Sequence, residues 1–231
     1  AGGDVEFFGR GAARRARKAG GPTAGGALRA EGRRRPRHDD PSARLGPDTM
    51  RRVAVHEAGH AISALRDGHG DDVAFVSIIP RSDGSLGFVA SPPRESQLDT
   101  YPAMLGRLRT ILAGRAAEAV VFGEDQLSLG SGGGPGSDLA VATRIAVHLV
   151  CAAGFGAGGS LQWTDAPTAA QRQQVDRLLR RAYREALTLL RAERAALTRL
   201  ADALVAEQEL EGARVRELIA PRRARRGVKR P

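Results

Sequence analysis

From Arg51 to Arg66 the apolar residues Val53, Val55, Ala58, Ala61, Ile62 and Leu65 recur at helical spacing, and Arg51, Arg52 and Arg66 close the two ends. That pattern predicts a buried helix. The period then changes. Residues 73–79 (Val-Ala-Phe-Val-Ser-Ile-Ile) are β-rich and stopped by Pro80; residues 81–85 read as a hairpin turn, and Leu86 to Ala90 as the return strand, ended by Pro92-Pro93. Helical spacing returns from Tyr101 to Phe122, with Leu105, Leu108, Ile111, Leu112, Ala116 and Val120 apolar and Glu118 set among small residues. A glycine-rich loop, Gly130 to Gly136, leads to Ser137-Asp138, which opens a helix expected to run to about Ala152. After a glycine-rich connection over 154–167, further apolar stripes predict one helix from Thr168, a second carrying Leu197, Leu200 and Leu204, and a short last one near Gly212 to Ile219. The expected fold is mainly α, a helical bundle with a small antiparallel β-hairpin.

The ends look different. Residues 1–20 suggest a helix beginning near Asp4, residues 21–49 a basic linker rich in Gly and Pro, and residues 221–231 a basic, disordered tail. The folded core is expected over 50–220. Charge follows this division. The chain carries a net +10, but residues 51–220 hold 19 basic and 20 acidic side chains, so the core is near neutral and the flanks supply the excess. A basic chain often binds nucleic acid; with the charge confined to the ends, no nucleic-acid partner is expected for the folded part. Cys151 is the only cysteine, which excludes an intrachain disulfide and fits a reducing, cytoplasmic setting. No apolar run is long enough for a membrane span. The chain begins at Ala1 and its first methionine is Met50, so it is expected to be a piece of a longer product, with any membrane association left to upstream segments.

The chemistry concentrates in the first helix. His56-Glu57-Ala58-Gly59-His60 reads H-E-x-x-H. Residues four apart share a helix face, so both imidazoles can reach one ion, while Glu57 projects about 100° round the helix, where a general base belongs. The bland alternative is a helix with two satisfied histidines and a surface glutamate. Gly59 costs about 1 kcal/mol against Ala in mid-helix, which suggests that another element packs close there. A zinc peptidase site needs a third protein ligand. His38 falls in the linker, His69 in a turn and His148 inside a helix, so Glu118 and Asp138 are the better candidates. Glu118, inside a helix among alanines, suits an outer role, accepting a hydrogen bond from the far nitrogen of a ligand histidine. Leu86, Gly87, Phe88 and Val89 are candidates for holding an extended substrate through the strand edge, the alternative being a sheet that only covers the core. The glycines of 130–136 are followed by no Lys-Ser/Thr pair, which argues against a phosphate-binding loop.

These residues resemble the peptidase domain of the FtsH-like AAA+ ATP-dependent zinc metalloproteases. The likeness runs through His56-Glu57-Ala58-Gly59-His60-Ala61, Val76 to Arg81, Leu86-Gly87, Leu112 to Glu118 with Phe122-Gly123, and Ser137-Asp138-Leu139 with Ala142-Thr143, in order and at similar spacing. It implies a zincin-type helix, Zn²⁺ as cofactor, His56, His60 and Asp138 as its ligands, and Glu57 as the catalytic residue. It also implies unfolded polypeptides as substrates and a homo-hexamer formed through an ATPase module outside this chain. Ala1 to Val5 is similar to a stretch opening a late helix of the AAA+ lid, so residues 1–20 are expected to be its remnant. Ser137 stands where the family usually has Asn, and the preceding loop is longer and richer in glycine. A non-catalytic assembly or adaptor module that keeps the fold is the alternative function.

Overall fold

The computed structural model describes residues 45–67, 73–81, 85–91, 99–157 and 161–220. The expectations for residues 1–20, most of the linker with His38, the turn with His69, the hairpin tip at 82–84, Pro92-Pro93 and the tail from 221 lie outside them.

Helix α1 spans Pro47–Arg66. It starts three residues ahead of Met50 because Pro47 sits in its first turn, where a missing N–H costs nothing and a fixed φ favours the helix. Ala54, Val55, Ala58, Ala61 and Ile62 are completely buried, so α1 is the central rod of the fold. Helix α2, Tyr101–Phe122, begins at Thr100, whose hydroxyl accepts from the Ala103 amide. It crosses α1 at Gly59: a Cβ there would stand 2.5 Å from the Ala113 carbonyl oxygen and 2.6 Å from the Ala117 methyl. The glycine in mid-helix is thus explained by backbone approach, its propensity cost offset by the contact between α1 and α2.

Helices α3 (Asp138–Cys151), α4 (Ala169–Ala192), α5 (Arg194–Glu207) and α6 (Gly212–Ile219) complete the bundle. Thr168 and Gln171 form a reciprocal capping box at the start of α4. Two apolar cores result. One joins α1, the sheet, α5 and α6 to one face of α2; the other joins α3 to the opposite face of α2; α4 contributes to both, and Tyr183 packs against each.

The β element is larger than a hairpin. Strands β1 (Phe75–Ser77) and β2 (Phe88–Ala90) pair antiparallel as expected, with Val76 opposite Val89. A third strand, β3 (Glu209–Glu211), pairs antiparallel on the far side of β1, with Leu210 opposite Val76, in the order β2-β1-β3. The Gly212 amide, donating to the Ala74 carbonyl at 2.7 Å, ties the start of α6 to this sheet. Among the described residues, no helix is long and apolar enough to cross a membrane.

Candidate metal centre

Helix α1 presents His56 and His60 one turn apart, their ring centroids separated by 4.8 Å. The third group arrives from α3. Ser137 caps that helix, its hydroxyl accepting from the Ala140 amide, so the serine serves as the N-cap that an asparagine would also provide. The Leu139 amide donates to the Ser131 carbonyl, fastening the glycine-rich loop to the first turn. Asp138 is thereby held with Oδ2 3.0 Å from Nε2 of His56 and 3.4 Å from Nε2 of His60. His56, His60 and Asp138 form a group whose candidate ligand atoms all lie within 4.8 Å of one another. His148, exposed in the last turn of α3, stands at the opposite end of that helix from Asp138.

The far nitrogens of both rings are engaged. Nδ1 of His56 lies 2.9 Å from Oε1 of Glu118, and Nδ1 of His60 lies 2.8 Å from the Thr110 carbonyl oxygen. Each acceptor takes the Nδ1 proton, so Nε2, facing Asp138, is the nitrogen that must give up its proton to offer a lone pair to a metal. Glu118 is held by the Ser128 amide, which donates to its other oxygen at 3.0 Å, while the Arg52 guanidinium stands 4.0 Å away.

The donor set fits a divalent transition ion. Two imidazole nitrogens and one carboxylate oxygen are the borderline ligands that zinc takes, leaving a fourth position for water. Ligands about 2.0–2.1 Å from a tetrahedral ion stand roughly 3.3–3.4 Å apart, and the two observed nitrogen–oxygen separations, 3.0 and 3.4 Å, bracket that spacing closely. The room is also specific. A Cβ at Gly114 of α2 would lie 2.5 Å from Nε2 of His60 and closer still to Nε2 of His56, so only glycine leaves both nitrogens clear at this point.

Electrostatics follow from crowding these groups. Burial works against charge on His56, but the hydrogen bonds its ring donates to Asp138 and Glu118 outweigh it and push its pKa up to about 10. His60 moves up for the same reason: burial opposes it, and Asp138 wins. The Asp138 carboxyl, which burial alone would raise, is held well below the usual carboxylate range by the two histidines. Glu118 is likewise lowered against burial, by His56 and Ser128. Glu57 goes the other way: burial raises it, the histidines pull it back only in part, and Asp138 adds to the rise. The three carboxylates thus divide into two kept ionised and one, Glu57, made more basic.

Glu57 is buried beneath the sheet. A Cβ at Gly87 would stand 2.8 Å from its Cγ and 2.9 Å from its Oε1, so the residues leading into β2 lie directly on this side chain. Of the strand residues expected to meet substrate, Phe88 and Val89 are buried with side chains in the fold, Phe88 stacking edge-on against Phe75, whereas Leu86 is 42% exposed. Any substrate contact there falls to the main chain and to Leu86. Sequence reasoning missed Thr110 and Ser128, because each contributes a backbone atom that any residue could supply; a buried threonine amid Leu108, Ile111 and Leu112 was the only available sign of the first.

Residues 44–174 match peptidase family M41. The ATP-dependent zinc metalloprotease FtsH of Methylibium petroleiphilum is 36% identical over 203 residues, covering 78% of this chain and 32% of that protein. FtsH 2 of Symbiobacterium thermophilum is 36% identical over 189 residues, covering 76% of this chain and 31% of that protein. The chloroplastic/mitochondrial FTSH 11 of Arabidopsis thaliana is 30% identical over 184 residues, covering 77% of this chain and 22% of that protein. The chain therefore spans about a third or less of the length of these relatives. The match takes in both histidines, Glu118 and Asp138 within one continuous stretch, and by it the chain belongs to peptidase family M41.

Proposed function

We propose that this chain is the proteolytic part of an ATP-dependent, FtsH-like protease, a zinc metalloendopeptidase that hydrolyses peptide bonds of unfolded polypeptides. The observation that carries the reading is the convergence of Nε2 of His56, Nε2 of His60 and Oδ2 of Asp138 beside a buried, basic Glu57. His56, His60 and Asp138 would hold the ion. When bound, zinc supplies Lewis acidity, bringing the pKa of water at the site toward about 7. Glu57 takes the proton of the attacking water and passes it to the leaving amine nitrogen; its raised pKa suits a base that must later act as an acid near neutrality. Glu118 and the Thr110 carbonyl keep the two rings oriented.

The residues leading into β2 support an unfolded substrate. An extended peptide added along the outer edge of β2 would run past Gly87 and so past Glu57. That mode needs free backbone groups, which a folded protein does not offer. The relatives' names carry ATP dependence, and delivery by a hexameric ATPase ring belongs to the same proposal. In this arrangement residues 1–20 are the end of an ATPase lid, 21–49 a linker, 50–220 the peptidase unit and 221–231 a solvated tail.

The test is Glu57→Gln. The variant should bind zinc as tightly as the unaltered chain and lose cleavage of a flexible casein substrate by at least about 100-fold, the scale of a missing general base. Undiminished turnover by the zinc-loaded Glu57→Gln variant overturns the mechanism. An unaltered chain that binds zinc but never cleaves supports the non-catalytic alternative instead.

A further inference from the structure

Behind His60 lies a buried polar cluster that the proposed chemistry does not use. Ser63 is fully buried and Thr110 is 2% exposed. Their hydroxyls lie 3.2 Å apart, and the Thr110 hydroxyl lies 3.1 Å from Oδ2 of Asp67. Asp67 is the residue that ends α1, its own amide donating to the Ser63 carbonyl. Its carboxylate pairs with the Arg109 guanidinium, which also reaches Glu185 of α4.

An ionised Asp67 only accepts, so the Thr110 hydroxyl must donate to it, and the Ser63 hydroxyl then donates to Thr110. The one proton of the Thr110 hydroxyl and one of its acceptor sites are thus committed outward from its own helix. A threonine inside a helix otherwise turns its hydroxyl back on a carbonyl of the preceding turn and bends the helix there. Thr110 is prevented from doing so, and its own carbonyl is the acceptor for Nδ1 of His60.

The geometry points to Asp67 as a positioning residue. Through the Thr110 hydroxyl, shared with Ser63, we infer that it fixes the Thr110 carbonyl against Nδ1 of His60, and so sets the direction in which Nε2 of His60 offers its lone pair. Arg109 balances the carboxylate's charge and anchors the cluster to α4. This inference rests on the proposed metal role of His60, but not on peptide cleavage.

Metal binding by the full chain provides the test. Co²⁺ and Zn²⁺ affinities are measured by chelator competition, the visible absorption of the Co²⁺ form reports ligand geometry, and ¹⁵N shifts of the His60 ring report its Nδ1 partner. Asp67→Ala and Thr110→Val should each weaken metal binding by roughly 10-fold, the low end of what loss of an outer hydrogen-bond partner costs. They should also change the Co²⁺ spectrum and move the His60 Nδ1 resonance while leaving that of His56 in place. Thr110→Ser, which restores the hydroxyl, should return all three to the values of the unaltered chain. Circular dichroism identifies any variant that has not folded, and Thr110→Val, nearly isosteric, carries the decision if Asp67→Ala is one of them. Folded Asp67→Ala or Thr110→Val with unchanged affinity, spectrum and His60 shift overturns the inference. A chain that binds metal with these dependences yet cleaves nothing overturns the peptidase reading and leaves this inference standing.

Discussion

The two histidines sit one turn apart on the same helix, yet they are held in different ways. His56 leans its far nitrogen on a carboxylate, Glu118, in direct contact. His60 leans on a neutral carbonyl, with the nearest supporting carboxylate, Asp67, one hydroxyl further back. Their settings differ too: the side chain of His56 is 12% exposed, that of His60 only 3%. A carboxylate in contact makes a ring a stronger donor but must itself be kept charged in the interior, which here takes the Ser128 amide and nearby Arg52. A carbonyl brings no such cost. One site thus orients two imidazole rings in a charged and in a neutral way, and each should fail differently.

The largest effect is expected where the two sides meet. Asp138→Ala removes the group both Nε2 atoms face and should abolish most zinc binding, a loss greater than about 100-fold and so beyond the range for an outer partner; the metal content of the purified variant decides. Normal zinc content would remove Asp138 from the ligand set. Gly114→Ala should come next, because its methyl would press on both Nε2 atoms at once. Overpacking of this kind costs about 1–3 kcal/mol, so thermal melting should fall along with metal uptake; a variant that binds zinc normally would show that the close approach of α2 is dispensable.

Glu118→Gln tests the charged side alone. Zinc affinity should drop roughly 10- to 100-fold with the His60 ring unaffected, and equal disturbance of both rings in NMR would contradict the division drawn above. The last test concerns pH. With its pKa raised to about 10, His56 is protonated at neutrality in the metal-free chain, whereas Asp138, lowered, is already ionised. Metal must therefore displace a proton from the histidine side. Affinity should rise with pH across 6 to 8, by about tenfold per unit for each proton released. Glu118→Gln removes one of the groups that raise His56 and should lower the pH at which that rise levels off. Chelator competition at three pH values measures both, and pH-independent binding would show that the rings are neutral before metal arrives.

Much of this was legible in the sequence because it is written in side chains at fixed spacing. The H-E-x-x-H helix, the stripes of α2 to α6 and the capped start of α3 follow from periodicity, and Gly59 signalled the close approach that α2 makes. The residues that approach by backbone were harder to find. The Thr110 carbonyl and the Ser128 amide exist in every sequence, so nothing marks them until the fold aims them. Strand β3 was missed for a related reason. Glu209-Leu210-Glu211 is too short for a β pattern, has no β-branched residue, and becomes a strand only because β1 offers it an open edge.

That late strand has a consequence for the order of synthesis. The whole group of His56, His60 and Asp138 has been made once residue 138 is added, but β1 gains its second neighbour only when Glu209–Glu211 follows. At 5–20 residues per second, the ribosome takes roughly 4–15 s to cover that interval. A growing chain can thus own all three of these residues while the sheet beside Glu57 is still braced on one side only. The same holds for any product cut short between the two points, which would keep His56, His60 and Asp138 yet lack the strand that completes the sheet.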